Sequence, residues 1–182
     1  MSRSGDDTHL AAWYLRVQQE EDDAMDKIRF LDTLLTERAE WDQVLSQIDE
    51  ARMSVPGVAN EWSMKDVVAH VTWYEREMVG VLATHALVGS DLWDLPQDER
   101  NRLMFEQNRQ RPLGDVLAEA REVFDQLLAA MRSLSDEDLV DPGRFRDMPT
   151  DWVPWQILAG NTYEHYRDHL PALRAWLEES RR

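Results

Sequence analysis

Apolar side chains recur along this chain at separations of three and four, over stretches long enough for helices, and almost nowhere in strict alternation. The strongest run starts at Met25 and continues through Ile28, Leu31, Leu34, Leu35, Ala39, Trp41, Val44, Leu45 and Ile48, which predicts a helix ending near Met53. A second run carries Val67, Val68, His70, Val71, Tyr74, Met78, Val81 and Leu82 and closes at Gly89-Ser90. Ser63 before it, with Asp66 three residues on, reads as a reciprocal N-terminal cap. A third run has Leu113, Val116, Leu117, Ala120, Phe124, Leu127, Leu128 and Met131. A fourth opens at Pro154 and places Ile157, Leu158, Asn161, Thr162, His165, His169, Ala172, Leu173 and Trp176 inward. Pro171 lies inside it and predicts a kink just past His169, because proline removes a backbone donor.

The links between these runs hold the turn formers. The segment from Ser54 to Trp62 reads as a loop turning at Pro56-Gly57, and residues 141–153, with Pro142, Gly143 and Pro149, form the longest loop. A short helix is expected from Pro96 to about Asn108, and a brief helical turn at Ser135–Leu139. Ahead of the core, Thr8 to Asp23 is a weakly amphipathic segment with Leu10, Trp13, Tyr14 and Val17 on one side, ending in the acidic run Glu20 to Asp23. The expected architecture is therefore all-α: residues 1–24 form an extension with a short helix, and residues 25–182 form a four-helix bundle. The long links between the first and second helices, and between the third and fourth, suit either an up-down order or a crossover.

Composition narrows the chemistry. With no cysteine there are no disulfides, thiolate metal sites or cysteine nucleophiles. The net charge of −16, from 36 acidic and 20 basic residues, comes without any Lys/Arg stripe, so nucleic acid and anionic membrane are not expected partners. An acidic field favours solubility and draws in cations. No apolar run approaches a membrane span, and MSRSGDDTHL lacks the apolar centre of a signal peptide, so a cytoplasmic location is expected.

Three of the five histidines stand out. His165 and His169 are one helical turn apart and share a face; His70 sits in the middle of the apolar face of another helix. Two imidazoles from one helix and one from its neighbour would hold a small metal ion and leave coordination positions open. Asn161, one turn before His165, is the inward candidate to orient an imidazole; Glu164 and Asp168 project elsewhere, and Thr162 and Tyr166 are weaker choices. His9 and His85 read as surface residues. Trp62, Trp73, Tyr74, Trp152 and Trp155 flank the histidine motifs. They read either as an aromatic mouth for a flat ligand or, more simply, as core packing and loop anchors. Met53, Met64, Met78, Met104 and Met131 read as core fillers. There is no Gly-rich phosphate loop, no G-x-S-x-G, no H-E-x-x-H and no paired Glu-x-x-His of a di-iron bundle.

The run from Asn60 through Trp62-Ser63-Met64-Lys65-Asp66, Ala69-His70 and Trp73 resembles the start of the second helix in the DinB-like superfamily, and within it the branch containing the ClbS and DfsB proteins. Asn161 to Leu170, with its H-x-x-x-H, is similar to the fourth-helix motif of that superfamily, and Asn108 to Leu139 shares its rhythm. The likeness spans about residues 25–180. It implies a four-helix bundle with a crossover, and a divalent metal, nickel or zinc, on a triad whose positions fall on His70, His165 and His169. It also implies a reactive small-molecule substrate, handled by hydrolysis or by transfer to a low-molecular-weight thiol, in detoxification or stress protection. Two other expectations stand beside it. One is a metal-free ClbS-like hydrolase or sequestering protein that uses the histidines as acid, base or donor. The other is a non-enzymatic bundle that pairs with a second copy through the N-terminal helix, as a homodimer.

Overall fold

The computed structural model describes residues 25–179, so the N-terminal extension with its predicted helix lies outside the described residues. Seven α-helices and one hairpin account for most of the rest: α1 Lys27–Ser46, β1 Pro56–Ala59, β2 Trp62–Ser63, α2 Met64–Thr84, α3 Gln97–Asn108, α4 Leu113–Ser133, α5 Asp136–Val140, α6 Pro154–Gly160 and α7 Tyr163–Glu179. The four long helices α1, α2, α4 and α7 make the bundle. α1 lies along α7 and α2 along α4, with smaller contacts between α1 and α4 and between α2 and α7. The consecutive pair α2 and α4 are therefore neighbours, whereas α1 and α2, and likewise α4 and α7, stand across the diagonal, so the first and third links cross the ends of the bundle, the crossover order. Among the described residues no helix is long and apolar enough to cross a membrane.

Periodicity places the core. On α4 the buried positions Val116, Ala120, Val123, Leu127 and Met131 follow the helical repeat and face α2. All five methionines singled out by spacing are buried. α2 is different: every residue from Ser63 to Glu75 is buried, because the hairpin, α3, α4 and α7 enclose its first half. Its start is fixed as the sequence indicates. The Ser63 hydroxyl accepts from the Asp66 amide while the Asp66 carboxylate accepts from the Ser63 amide.

Several boundaries differ from the periodic reading. α1 stops at Ser46 rather than near Met53; the Asp49 side chain accepts from the Ala51 amide and starts a separate 3-10 turn at Glu50–Arg52. The expected loop at 54–62 contains the antiparallel hairpin β1–β2. Its reversal occurs at Asn60, which takes a left-handed φ of 56°, while Pro56-Gly57 lies inside β1. α2 ends at Thr84, five residues before Gly89, because His85 turns left-handed (φ 44°) and the chain leaves to pair with the 145–147 segment: Arg146 N–H donates to His85 O and Leu87 N–H to Arg146 O. The expected single fourth helix is two. Asn161 Nδ2 donates to Ile157 O and Thr162 Oγ1 to Leu158 O, so side chains compete with the backbone ladder and α6 ends before α7 begins. The interruption therefore lies at 161–162, and α7 runs through Pro171.

Two buried charges tie the elements together. Lys65, in the first turn of α2, donates through Nζ to the carbonyls of Asn108, Arg109 and Arg111 at 2.7–3.1 Å, satisfying the otherwise orphaned end of α3. Deeper in, Arg38 of α1 donates to Glu75 of α2 at 3.1 Å and Tyr166 of α7 donates its hydroxyl to the same carboxylate oxygen. The Arg38 guanidinium also lies 4.1 Å from the ring centre of Phe124 on α4, so this one cluster touches all four bundle helices.

Removing Glu75 leaves the buried Arg38 guanidinium with only the exposed Asp42 carboxylate, 2.9 Å from its Nε, whereas replacing the whole cluster leaves no buried charge behind. Glu75→Ala is expected to lower stability by about 3–5 kcal/mol in urea unfolding, and the combined Arg38→Met/Glu75→Leu/Tyr166→Phe variant to regain most of that loss. Equal losses in the two proteins would show that packing, not charge, is the source.

Candidate metal centre

His70 projects from the enclosed half of α2, and His165 and His169 from successive turns of α7. The three rings meet where α2 and α7 touch. Nε2 of His165 is 3.1 Å from Nε2 of His70 and 3.0 Å from Nε2 of His169. One coordinating nitrogen from each ring lies within 4.8 Å of the other two, and these three residues are a potential metal-holding group among the described residues.

The contact pattern fits a cation. Nε2 of a neutral imidazole offers either one N–H or one lone pair, so His165 Nε2 can take part in a single well-formed hydrogen bond. It faces two neighbours at hydrogen-bonding distance. No choice of tautomers satisfies both contacts, whereas three lone pairs turned to one cation satisfy all of them. Protons compete poorly here. Burial, then the fields of His169 and Arg100, hold the His70 pKa down at about 3. Burial, then His70 and His169, hold His165 at about 2, and burial alone holds His169 at about 4. At neutral pH all three rings are uncharged, the form that binds metal.

The outer contacts are aromatic rather than carboxylate. Trp62, placed by β2, meets His70 edge-on with ring centres 5.3 Å apart and stacks on Phe105 of α3 at 5.5 Å. Tyr74, one turn beyond His70, lies perpendicular to His70 at 5.0 Å and to His165 at 4.5 Å. Nδ1 of His70 and of His165 is buried and has no hydrogen-bond partner among the described residues. The Asn161 amide is engaged with Ile157 rather than with either imidazole. Glu77, two turns past His70, accepts from Ser90 N–H and Trp93 Nε1–H, both at 2.8 Å, and so pins the segment that follows α2.

The remaining aromatic positions divide. Trp73 packs on Tyr74 and Trp93, Trp155 packs against the main core, and Trp152 is exposed at the edge of a cleft. That cleft, about 560 Å³, is bordered by Met78, Val81, Trp93, Trp152, Ile157 and Asn161 among others. Met78 is two turns beyond His70 on α2 and Asn161 one turn before His165, so the cleft lies further along the segments that carry the triad, and none of the three histidines borders it. His85 is exposed, with its ring stacked on Phe145, and His9 lies outside the described residues.

Periodicity did not single out Trp93, Arg100 or Phe105, which belong to the irregular 91–111 stretch, nor Arg38 and Glu75. Charged residues on a helix ordinarily face solvent, and Glu75 opens the charged stretch Glu75-Arg76-Glu77, which gives no sign of burial. Burial pushes its carboxyl up to about 7, against the opposing pull of Arg38 and Tyr166.

The family model described as the DinB superfamily matches residues 12–172. Among solved structures, an uncharacterised protein from Escherichia coli UTI89 is similar with a TM-score of 0.68 at 18% identity, over 86% of this chain and 95% of that one. A protein from Streptococcus pneumoniae has a TM-score of 0.67 at 14% identity, over 86% of this chain and 92% of that one. Comparison with curated proteins gives no match.

The depressed imidazoles make the stability of the metal-free protein pH-dependent. In the unfolded chain the three rings take up protons near the ordinary imidazole value of 6.5; folded, they do so only at about 2 to 4. Between pH 6.5 and 4 the unfolded state thus binds up to three more protons than the folded state, which favours unfolding as pH falls. Glu75 opposes this with one proton, because its folded pKa of about 7 exceeds the ordinary carboxyl value of 4.5. The balance approaches two protons, so unfolding free energy is expected to drop by about 2–3 kcal/mol per unit between pH 6 and 5. His165→Leu is expected to reduce that slope by about 1.4 kcal/mol per unit. Urea titrations at several pH values check both, and a slope unchanged by the substitution would contradict the assignment.

Proposed function

This chain belongs to the DinB superfamily, and on that premise we propose that it is a metal-dependent enzyme acting on a reactive small molecule. The observation that carries the reading is that His165 Nε2 faces the Nε2 atoms of both His70 and His169 at 3.0–3.1 Å, a pair of contacts that no hydrogen-bonding scheme satisfies and a divalent cation does. His70, His165 and His169 would hold that cation. All-imidazole ligation suits zinc or nickel.

Three protein ligands leave part of the coordination sphere for water or substrate. A cation held there supplies Lewis acidity, activating a water or a thiol or polarising an electrophile. The chain's own residues do the rest. Trp62, Tyr74 and Phe105 wall the histidines with apolar rings, which exclude bulk water and strengthen electrostatic interactions inside. The cleft beside Trp93 and Trp152 gives a substrate of modest size an apolar bed. Because α2 and α7 are also joined at Glu75–Tyr166, the rings are positioned before anything binds.

The Asn60–Trp73 run supports placing the protein near the ClbS/DfsB branch, with hydrolysis or transfer to a low-molecular-weight thiol as the reaction and protection against a reactive compound in the cytoplasm as the role. A metal-free mechanism in which the histidines act as acid or base is the weaker alternative. Groups whose pKa lies at about 2 to 4 are poor proton carriers at neutral pH.

Protein purified without a nickel column is expected to contain close to one equivalent of a transition metal by elemental analysis. After chelation, zinc or nickel at a hundredfold excess over Kd is expected to stabilise it by about 2.7 kcal/mol. His165→Ala should fold, retain its helical circular dichroism and lose this response. A wild-type protein that neither retains metal nor responds to zinc or nickel would sink the proposal.

A further inference from the structure

A cation of the protein's own stands beside the triad. Arg100, in the first turn of α3, places its guanidinium carbon 4.7 Å from the ring centre of Trp93 and 5.8 Å from that of Tyr74. The Tyr74 ring is in turn 4.5 Å from His165 and 5.0 Å from His70. One ring therefore separates the guanidinium from two of the three imidazoles, and the field of Arg100 is felt at His70.

The surroundings of Arg100 are unfinished. Its Nε is buried and has no hydrogen-bond partner, and no ion pair to it is present among the described residues. Asp91 and Asp94 border the nearby cleft without reaching it. Contact with two aromatic faces is favourable for the charge but satisfies no N–H. The terminal Nη groups of this half-buried guanidinium are not enclosed and have no side-chain partner among the described residues, and two such parallel N–H donors match a carboxylate. Its position is also fixed. Met104 and Phe105, one turn further along α3, pack against Trp73, Tyr74 and Trp62, and Lys65 holds the end of the helix.

We propose that Arg100 anchors a carboxylate of the substrate, so that the triad acts on an anionic small molecule whose apolar body lies against Trp93 and Trp152. This rests on the metal-enzyme reading for the reaction itself and adds the substrate class. The net charge of −16 repels anions at long range, so selection occurs at contact rather than by steering.

Benzoate and its neutral isostere benzamide test the assignment. Binding is followed by tryptophan fluorescence in metal-free and in zinc-loaded protein, with Arg100→Gln and Arg100→Lys alongside. Wild type is expected to bind benzoate about tenfold tighter than benzamide, a preference of about 1.4 kcal/mol. Arg100→Gln should bring the two within about twofold, and Arg100→Lys should retain part of the preference, as a point charge does. In the wild type, the Arg100 Nε–H resonance, assigned by its loss in Arg100→Lys, should shift with benzoate and not with benzamide; this measurement does not depend on a variant folding. Equal affinities in wild type, a preference that survives Arg100→Gln, or an unmoved Nε–H would overturn the proposal. The metal-free arm separates the two readings. A preference that persists where zinc does not bind would remove the metal enzyme and keep the anchor. Zinc binding with an Arg100-independent preference would do the reverse.

Discussion

The bond between Glu75 and its two donors governs the rest of this molecule. Apolar packing sets how bundle helices fit together but separates neighbouring registers and rotations less sharply than a directional buried polar contact does. The carboxylate shared by Arg38 and Tyr166 supplies such a contact. On α2, Glu75 is five residues from His70, about 140° around the helix; on α7, Tyr166 is next to His165, about 100° around. The two helices consequently meet at two azimuths, one ionic and one imidazole. Two such contacts fix rotation as well as register. The histidine nitrogens meet at a common point on helices that a second, buried linkage also joins.

The charge logic of the interior is unusual for so acidic a chain. The surface carries the negative excess, while the buried charged groups include Arg38, Lys65, Asp66 and Glu75. Each positive one performs a connection: Arg38 between helices, Lys65 between the start of α2 and the end of α3. The imidazoles, by contrast, are kept neutral by the same burial. A site of three lone pairs and no fixed negative charge relies on what enters it for its electrostatics, which gives a nearby guanidinium more influence than it would have beside a carboxylate-rich metal site.

The long helices and their apolar faces were legible because period 3.6 is strong in residues 27–46, 64–84 and 113–133. The Ser63–Asp66 cap was legible because its residue types have one common purpose. The histidines were legible as candidates because helical spacing predicts a shared face, but their meeting required knowing that α2 and α7 touch. What escaped had no period to read. The β1–β2 hairpin has strands too short for alternation and turns on Asn60 rather than on the conspicuous Pro56-Gly57. The break at 161–162 comes from Asn and Thr side chains bonding back to the preceding turn, which the pattern of apolar positions does not register. Arg100 and Trp93 reach the site from a segment whose order is imposed by Glu77 and Lys65, contacts 16 residues or more away in sequence.

The three histidines also matter to the chain as a polymer. His70 and His165 are 95 residues apart. Ligands this distant, joined through one ion, close a loop comparable to that of a long-range covalent bridge. The loop-closure entropy such a bridge removes from the unfolded ensemble amounts to about 4–5 kcal/mol at that length. For a chain without a single cysteine, a bound ion would therefore act as a reversible staple, made and undone by metal supply rather than by redox state.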